Sequence, residues 1–187
     1  GVVGSDRDLE PLASAVDFIC AIDKASRSGL DFDGHLAQAL LVALDLETEG
    51  SLNWIVGGES GEDAPDLAGV FFLGPPLPLY DDLYAISEKN GEIRLLVLDA
   101  KTGKLKWQQQ LAHVDNRKIT LDSNRRLASA SPSFADGVLV CPTSAGAIVA
   151  VDISSRTLLW GYTYVNRNLS QTRRLNGVPY NNVDTKK

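Results

Sequence analysis

The sequence contains few of the residues from which catalytic and metal-binding sites are usually built. Its 187 residues include only two cysteines and two histidines. Cys20, Cys141, His35 and His113 stand far apart, so the closely spaced Cys and His pairs that hold zinc do not occur. The sequence therefore predicts no catalytic, cofactor-binding or metal-binding residues, and no cofactor.

Positive charge, long apolar runs and methionine are also scarce. Eighteen Lys and Arg residues stand against 24 Asp and Glu residues, a net charge of -6, and this balance argues against nucleic acid as a partner. No apolar run approaches the roughly 20 residues that a membrane-spanning helix needs. The sequence has no methionine, which indicates that the true N-terminus lies outside it.

Three tryptophans, by contrast, recur at one fixed spacing. Trp54, Trp107 and Trp160 are 53 residues apart, and they close three similar phrases, ALDLETEGSLNW, VLDAKTGKLKW and AVDISSRTLLW. A fixed period of this length is typical of repeat architectures. Packing between repeats is a better interpretation of these tryptophans than ligand stacking, because each holds the same place in its repeat.

Each phrase predicts a β-hairpin. In the second copy an apolar run ends at Asp99, whose carboxylate can accept bonds from backbone amides in the turn that follows. Gly103 stands where the loop needs a positive φ, which glycine adopts without steric cost. The third copy has Arg156 at the glycine position, and the first copy inserts Glu49.

A second hairpin precedes each of the last two phrases. The pair Asn90-Gly91 is a strong signal for one of these turns, and Ser144 to Gly146 predicts the other. Each unit is therefore expected to contain four antiparallel strands, as in a propeller blade. The predicted strands lie near 83–87, 93–99, 104–110, 138–142, 147–152 and 157–163.

The second phrase resembles the tryptophan docking motif of PQQ-type (quinoprotein-like) β-propellers. Asp99, Thr102, Gly103 and Trp107 match the motif, with Val97 in place of the usual alanine. The first and third copies keep the alanine, the aspartate and the tryptophan. The resemblance covers about residues 40–163 and implies an all-β fold, a partial β-propeller of about three four-stranded antiparallel blades.

The resemblance also limits the expected functions. This class contains both enzymes and non-catalytic scaffolds. Its enzymes hold the quinone with a Trp and a pair of adjacent cysteines, and this sequence has no adjacent cysteines. The expectation is a non-catalytic scaffold for protein interaction or envelope assembly, in the periplasm or cell envelope. Its partners would be the remaining blades of the same parent protein or another protein chain. The alternative is a fragment of a PQQ-dependent oxidoreductase whose active site lies outside this chain.

The repeat also predicts the domain organisation. Residues 1–40 form an irregular segment that contains either the first strands of a degenerate blade or an amphipathic helix with Leu12, Val16, Ile19 and Cys20 on one stripe. The other expected parts are the end of blade 1 at 41–65, blade 2 at 66–112, blade 3 at 127–163 and a linker or tail at 164–187. The open ends of such an arc should leave the apolar strands at 40–44 and 147–151 in need of cover.

Several charged or reactive groups have a structural interpretation that outweighs a functional one. Both cysteines are expected to be small buried apolar residues, and both histidines are expected at the surface. Solvated loops are the preferred reading for the remaining groups, which are the calcium-loop-like Asp31-Phe32-Asp33-Gly34, the acidic residues Glu59, Glu62, Asp63 and Asp66, and the basic pairs Arg117-Lys118 and Arg125-Arg126.

Overall fold

The computed structural model describes residues 18–19, 40–45, 48–58, 64–114, 119, 122–126 and 129–164. Within these ranges the chain forms three antiparallel sheets, joined by turns and two short helical segments. The described part is an all-β partial propeller, as the sequence predicted. No helix in it is long and apolar enough to cross a membrane.

The first sheet has the strand order β1-β2-β3. Its strands are β1 (Phe18–Ile19), β2 (Leu40–Asp45) and β3 (Ser51–Gly57). Phe18 pairs with Ala43 and Ile19 with Val42, so the strand interpretation is confirmed for these two residues. The other residues between 1 and 39 lie outside the described ranges.

The second sheet is the largest, with the order β4-β6-β7-β8 and with β5 also paired to β6. Its strands are β4 (Phe71–Phe72), β5 (Leu77–Leu79), β6 (Asp82–Lys89), β7 (Glu92–Asp99) and β8 (Leu105–His113). Asn90 and Gly91 have φ values of 53° and 83°, which are the values a two-residue type I′ turn requires. The predicted hairpin is therefore confirmed.

The third sheet has the order β12-β11-β10-β9. Its strands are β9 (Ser133–Ala135), β10 (Val138–Pro142), β11 (Ala147–Asp152) and β12 (Thr157–Thr163). All six strands predicted from the sequence are confirmed, with differences of a few residues at the ends.

One apolar core runs through all three sheets. It contains Leu41 and Val56 of the first sheet, many residues of the second, and Leu139 and Val151 of the third. The β6 and β7 strands are buried on both faces, and the unbroken apolar run Leu95–Leu98 in β7 is typical of such a strand. Two short segments lie beside the second sheet, the 3-10 helix Pro65–Leu67 and the four-residue helix α1 (Ser123–Arg126).

The strands at 40–44 and 147–151, which were expected to need cover, are not the exposed ones. Leu41 and Ala43 in β2 and Val149 to Val151 in β11 are already buried within the chain. Every residue of the outer strand β12 is exposed instead. The central strands of a sheet are covered by neighbouring strands and by the core, so the uncovered apolar surface lies on the outermost strand.

Candidate functional site

The three tryptophans occupy equivalent positions in the three sheets. Trp54 pairs with Ala43, Trp107 with Val97 and Trp160 with Ala150, and the strand register shifts directly after each pair. Such a β-bulge increases the local twist and re-aims the neighbouring side chains. The repeat seen in the sequence is therefore a repeat of backbone geometry as well.

The turn before Trp107 is held together by one carboxylate. Oδ1 of Asp99 accepts hydrogen bonds from the backbone N of Lys101 at 3.1 Å, and from the backbone N and Oγ1 of Thr102 at 2.9 and 2.8 Å. The Thr102 hydroxyl is the main cause that lowers the pKa of Asp99 from its usual value, because hydrogen bonds to the charged form favour it. Asp99 is therefore a turn-forming residue, as predicted.

The turn before Trp160 is also stabilised by an aspartate carboxylate that accepts hydrogen bonds within the turn. Oδ1 of Asp152 accepts hydrogen bonds from the backbone N and the Oγ of Ser155, at 2.7 and 2.8 Å. The bond from the Ser155 amide is the main cause that lowers the pKa of Asp152. Serine thus replaces the threonine of the second copy without changing the chemistry of the turn.

The loop of the first copy accommodates its inserted residue by placing a second residue in the left-handed backbone conformation. Glu49 has a φ of 61° and Gly50 a φ of 86°. The Gly50 amide donates to the carbonyl oxygen of Asp45 at 2.8 Å, and the Gly103 amide donates to that of Asp99 at 2.9 Å. Gly50 therefore takes the structural role of Gly103, one residue later in its loop.

Trp54 of the first sheet contacts the turn of the second sheet. Its Nε1 donates a hydrogen bond to the carbonyl oxygen of Ala100 at 3.2 Å. A Cβ placed on Gly103 would lie 2.7 Å from Cδ2 and Cε3 of Trp54, and 3.2 Å from Cγ1 of Val56. Gly103 is thus required twice, by its φ of 69° and by the approach of the indole ring.

Trp107 of the second sheet contacts the turn of the third sheet in another way. Arg156, at the position of the missing glycine, has a φ of 57° and places its guanidinium 5.6 Å from the centroid of the Trp107 ring. This distance allows a cation–π interaction. The substitution of glycine by arginine therefore keeps the contact between the sheets and changes its chemistry.

Trp160 of the third sheet has the same position but a different environment. The side chain is 50% exposed, and exposed apolar or aromatic residues surround it on and beside β12, namely Leu158, Leu159, Tyr162 and Tyr164. Scattered apolar side chains are ordinary on a protein surface, but a contiguous group marks a surface that binds something. This group is called the β12 face below.

The basic pair Arg125-Arg126 is not simply a solvated loop, contrary to the sequence-based interpretation. The Arg125 side chain is 6% exposed, and its Nη1 lies 3.4 Å from Oε1 of Glu88, which is 1% exposed. Its Nε lies 3.3 Å from Oδ2 of Asp122. The correction concerns Arg125 alone, because Arg126 is only partly buried.

Burial dominates the electrostatics of this ion pair. It raises the pKa of Glu88, and Arg125 opposes that rise. Removing a charge from water is costly. The buried carboxyl group of Glu88 therefore stays ionised only because the guanidinium of Arg125 lies beside it. The signal for the pair in the sequence was a lone glutamate inside the apolar strand β6. The pair ties α1 to the second sheet.

The other candidate residues have structural roles or lie outside the described ranges. Cys141 is buried with a free thiol, and burial raises its pKa to about 12, so the thiolate nucleophile is not formed near neutral pH. His113 and Asp66 are exposed, as expected. Residues outside the described ranges are Cys20, Asp31, Phe32, Asp33, Gly34, His35, Glu59, Glu62, Asp63, Arg117 and Lys118.

The described residues contain no group of three or more His, Cys, Asp or Glu side chains that could hold a metal ion.

No curated protein matches the sequence significantly. Solved structures that are similar to it include the following three. BamB from Moraxella catarrhalis has 24% identity and a TM-score of 0.40, and the match covers 72% of this chain and 35% of that one.

Two further similar structures are a europium-containing methanol dehydrogenase and apo AztD from Citrobacter koseri. The dehydrogenase has 15% identity and a TM-score of 0.44, with 68% of this chain and 22% of that chain covered. AztD has 9% identity and a TM-score of 0.38, with 70% and 33% covered. The chain thus spans about a third or less of the length of these proteins.

A protein-family model also matches most of the sequence. It extends over residues 37–184, which include all three tryptophans and the described parts of the second and third sheets. The chain therefore belongs to the PQQ-like repeat family whose model is described as outer membrane protein assembly factor BamB.

Proposed function

We propose that this chain is a segment of a non-catalytic propeller that acts as a scaffold for protein interactions in assembly of the cell envelope. The observation that carries the proposal is the family match over residues 37–184, because the family is described by an assembly factor rather than by an enzyme. The location in the periplasm or cell envelope belongs to the same proposal.

The roles of the chemically active side chains support a scaffold. Asp99 and Asp152 use their carboxylates to hold turns, and Cys141 is buried. Glu88 and Arg125 neutralise one another inside the protein. In the described part of the chain, these groups stabilise the structure and do not converge on one cleft.

The tryptophans are proposed to be docking residues between blades. Trp54 on the Ala100–Gly103 turn and Trp107 under Arg156 support this role. The corresponding blades would be 41–65, 66–112 and 127–163. A row of blades joined in this way presents loops and outer strands to a partner while its core stays rigid.

The proposal is tested by deleting the encoding gene in its own host and measuring outer-membrane β-barrel proteins. Folded and unfolded barrels are separated by their gel mobility with and without heating. We expect the folded fraction to fall and the reintroduced gene to restore it. A Gly103→Val version, which cannot accommodate Trp54, should fail to restore it, whereas the surface variant Tyr80→Ser should succeed because Tyr80 is 72% exposed.

The oxidoreductase alternative is tested with the purified protein and with the same deletion strain. Purified protein is mixed with PQQ and calcium, and the quinone absorbance and dye-linked alcohol oxidation are followed. An unchanged folded fraction of barrels in the deletion strain would contradict the scaffold proposal. Quinone-dependent oxidation that is lost with the gene would establish the enzyme instead.

A further inference from the structure

Two exposed side chains lie on left-handed backbone, at positions where another repeat has residues that tolerate it. Arg156 has a φ of 57° at the position that Gly103 fills in the second sheet. Tyr80 has a φ of 56° in the two-residue turn between Leu79 and Asp82. Glycine adopts this conformation freely, whereas a residue with a bulky side chain is strained in it. The molecule therefore carries backbone strain at two places that display an arginine and a tyrosine.

The hairpin tip that carries Tyr80 is built like the corresponding tip of the third sheet. Asp136-Gly137 is the two-residue turn there, and its flanking strands pair as those around Tyr80-Asp81 do. In each turn the carbonyl oxygen of the second residue accepts a backbone hydrogen bond, from Ala100 at 3.0 Å and from Ile153 at 3.1 Å. The third sheet thus closes the same turn with aspartate and glycine. Tyr80 is 72% exposed, so packing within the described chain does not account for its ring.

Tyr80 and Arg156 lie near each other, because both act on the hydroxyl of Tyr84 in β6. Burial is the main cause that raises the pKa of Tyr84. Asp82 and Tyr80 add to the rise in that pKa, and the positive charges of Lys106 and Arg156 oppose it. Electrostatic effects of this kind fall off with distance. Side chains of the second and third sheets therefore meet at Tyr84.

Trp107 completes this group of side chains. Tyr84 pairs with Val97 and Val97 with Trp107, so the tyrosine and the tryptophan lie on one face of the second sheet. The guanidinium of Arg156 lies 5.6 Å from the centroid of the Trp107 ring. Tyr80, Tyr84, Trp107 and Arg156 are called the aromatic patch below. The patch lies between two described sheets, so it does not depend on where the chain begins or ends.

The aromatic patch contains a positive charge that the described residues leave uncompensated. Arg156 forms no ion pair with any of them. Lys106 differs, because it is bridged to Asp82 and its Nζ lies 3.9 Å from Oδ2 of Asp99. A guanidinium binds a carboxylate through two parallel hydrogen bonds, and a phenol hydroxyl can donate another. The patch therefore has the chemistry of a carboxylate site beside aromatic rings.

We propose that the aromatic patch binds an aspartate or glutamate side chain of an acidic protein segment. The guanidinium of Arg156 holds the carboxylate, and the ring of Tyr80 packs against the adjacent part of the segment. Tyrosine, tryptophan and arginine are the residue types most enriched where binding energy is concentrated in protein interfaces. Backbone strain like that at Tyr80 and Arg156 is found at binding sites, where it positions a side chain for its ligand.

This site goes beyond the scaffold function and does not depend on it. A Tyr80→Ser protein loses the site and still restores the folding of barrels, so the two proposals can fail separately. The site also lies apart from the β12 face, which is left for the remaining blades of the parent protein.

The test is a titration of the isotope-labelled chain with an acetylated hexaglutamate peptide, followed through the indole and guanidinium signals in NMR spectra. Arg156→Gln removes the charge from the patch. Lys101→Gln is its matched control, because Lys101 is exposed on the neighbouring turn and the change in net charge is the same. Tyr80→Gly removes the ring together with the strain, and Asp136→Gly is the matched control at the equivalent turn position. An unchanged indole signal of Trp54 shows that each variant is folded.

We expect the peptide to shift the indole signal of Trp107 and the Nε signal of Arg156, and to leave the indole signal of Trp160 in place. Arg156→Gln should weaken binding about tenfold or more, because charge-assisted hydrogen bonds are lost. Tyr80→Gly should weaken binding about fivefold, as loss of an aromatic contact in an interface does. It should also raise the midpoint of urea unfolding by more than Asp136→Gly does. Both control variants should bind the peptide as the wild type does.

Several results would each overturn the proposal. Signals that do not move at millimolar concentrations of the peptide show that the patch is not a carboxylate site. An effect of Lys101→Gln as large as that of Arg156→Gln shows a general attraction between charges. Tighter binding of inorganic phosphate than of the peptide, read from the same signals, shows an anion site that does not select an acidic segment. A lower urea midpoint for Tyr80→Gly shows that the tyrosine serves the fold instead.

Discussion

The indole nitrogen of Trp54 donates a hydrogen bond to the carbonyl oxygen of Ala100, 46 residues further along the chain. The bond joins the outer strand β3 of the first sheet to the turn that follows β7 in the second sheet. The first repeat is thus held by the second. The contact depends on glycine at position 103, because any side chain there would meet the indole ring.

Replacing Gly103 with Ala should lower the free energy of unfolding by about 2–5 kcal/mol. Left-handed backbone costs an L-residue roughly 1–2 kcal/mol, and forcing a methyl group against a packed ring adds about 1–3 kcal/mol. Urea denaturation measures the loss. Gly137→Ala shares the positive φ but has free space among the described residues, so only the first cost should appear. Equal losses in both variants would contradict the close approach of Trp54.

Replacing Asp99 with Asn should make stability less dependent on pH in the acidic range. The folded pKa of Asp99 is lower than its unfolded value of about 3.9. Its charge therefore stabilises the fold above the unfolded pKa, and the contribution is lost as the pH falls through the folded pKa. The difference in unfolding free energy between wild type and Asp99→Asn should shrink between about pH 5 and pH 2.

Replacing Arg125 with Met should destabilise the protein by about 3–5 kcal/mol, because the buried carboxyl group of Glu88 then loses its ionic partner. Adding Glu88→Leu should recover a substantial part of that loss, since both charges are then gone. The measurement is a double-mutant cycle of unfolding free energies. Additive effects of the two substitutions would show that the side chains do not interact.

The strands and the turns could be predicted from the sequence because their causes are local. Asn90-Gly91 specifies a tight turn, Asp99 can accept bonds from the backbone amides of its own loop, and alternating or unbroken apolar runs define strand faces. The fixed spacing of the tryptophans adds the only long-range information. It correctly places all three at one position of the sheet.

The contacts between sheets could not be predicted, because they depend on residues far apart in the sequence. Nothing near Arg156 indicates that it covers Trp107, and nothing near Arg125 indicates that Glu88 is its partner. The strand β4 was also missed, because two residues, Phe71 and Phe72, carry no periodicity. The exposure of β12 follows from the whole arrangement of the sheets.

Replacing Arg156 with Gln should expose the ring of Trp107 to water without relieving the positive φ of residue 156. Loss of a surface cation–π contact costs about 0.5–1 kcal/mol. Tryptophan emission should shift to longer wavelength, and iodide quenching should increase. The same substitution in a Trp107→Phe background should leave the emission unchanged, and a shift there would contradict the assignment to Trp107.

Hydrogen exchange of the tryptophan indoles tests the central claim most directly, namely that the turn of one sheet holds the tryptophan of the sheet before it. The Nε1 hydrogen of Trp54 should exchange at least a hundredfold more slowly than that of Trp160, because it is bonded to Ala100 whereas Trp160 is half exposed. Exchange of Trp54 as fast as that of Trp160 would contradict the account.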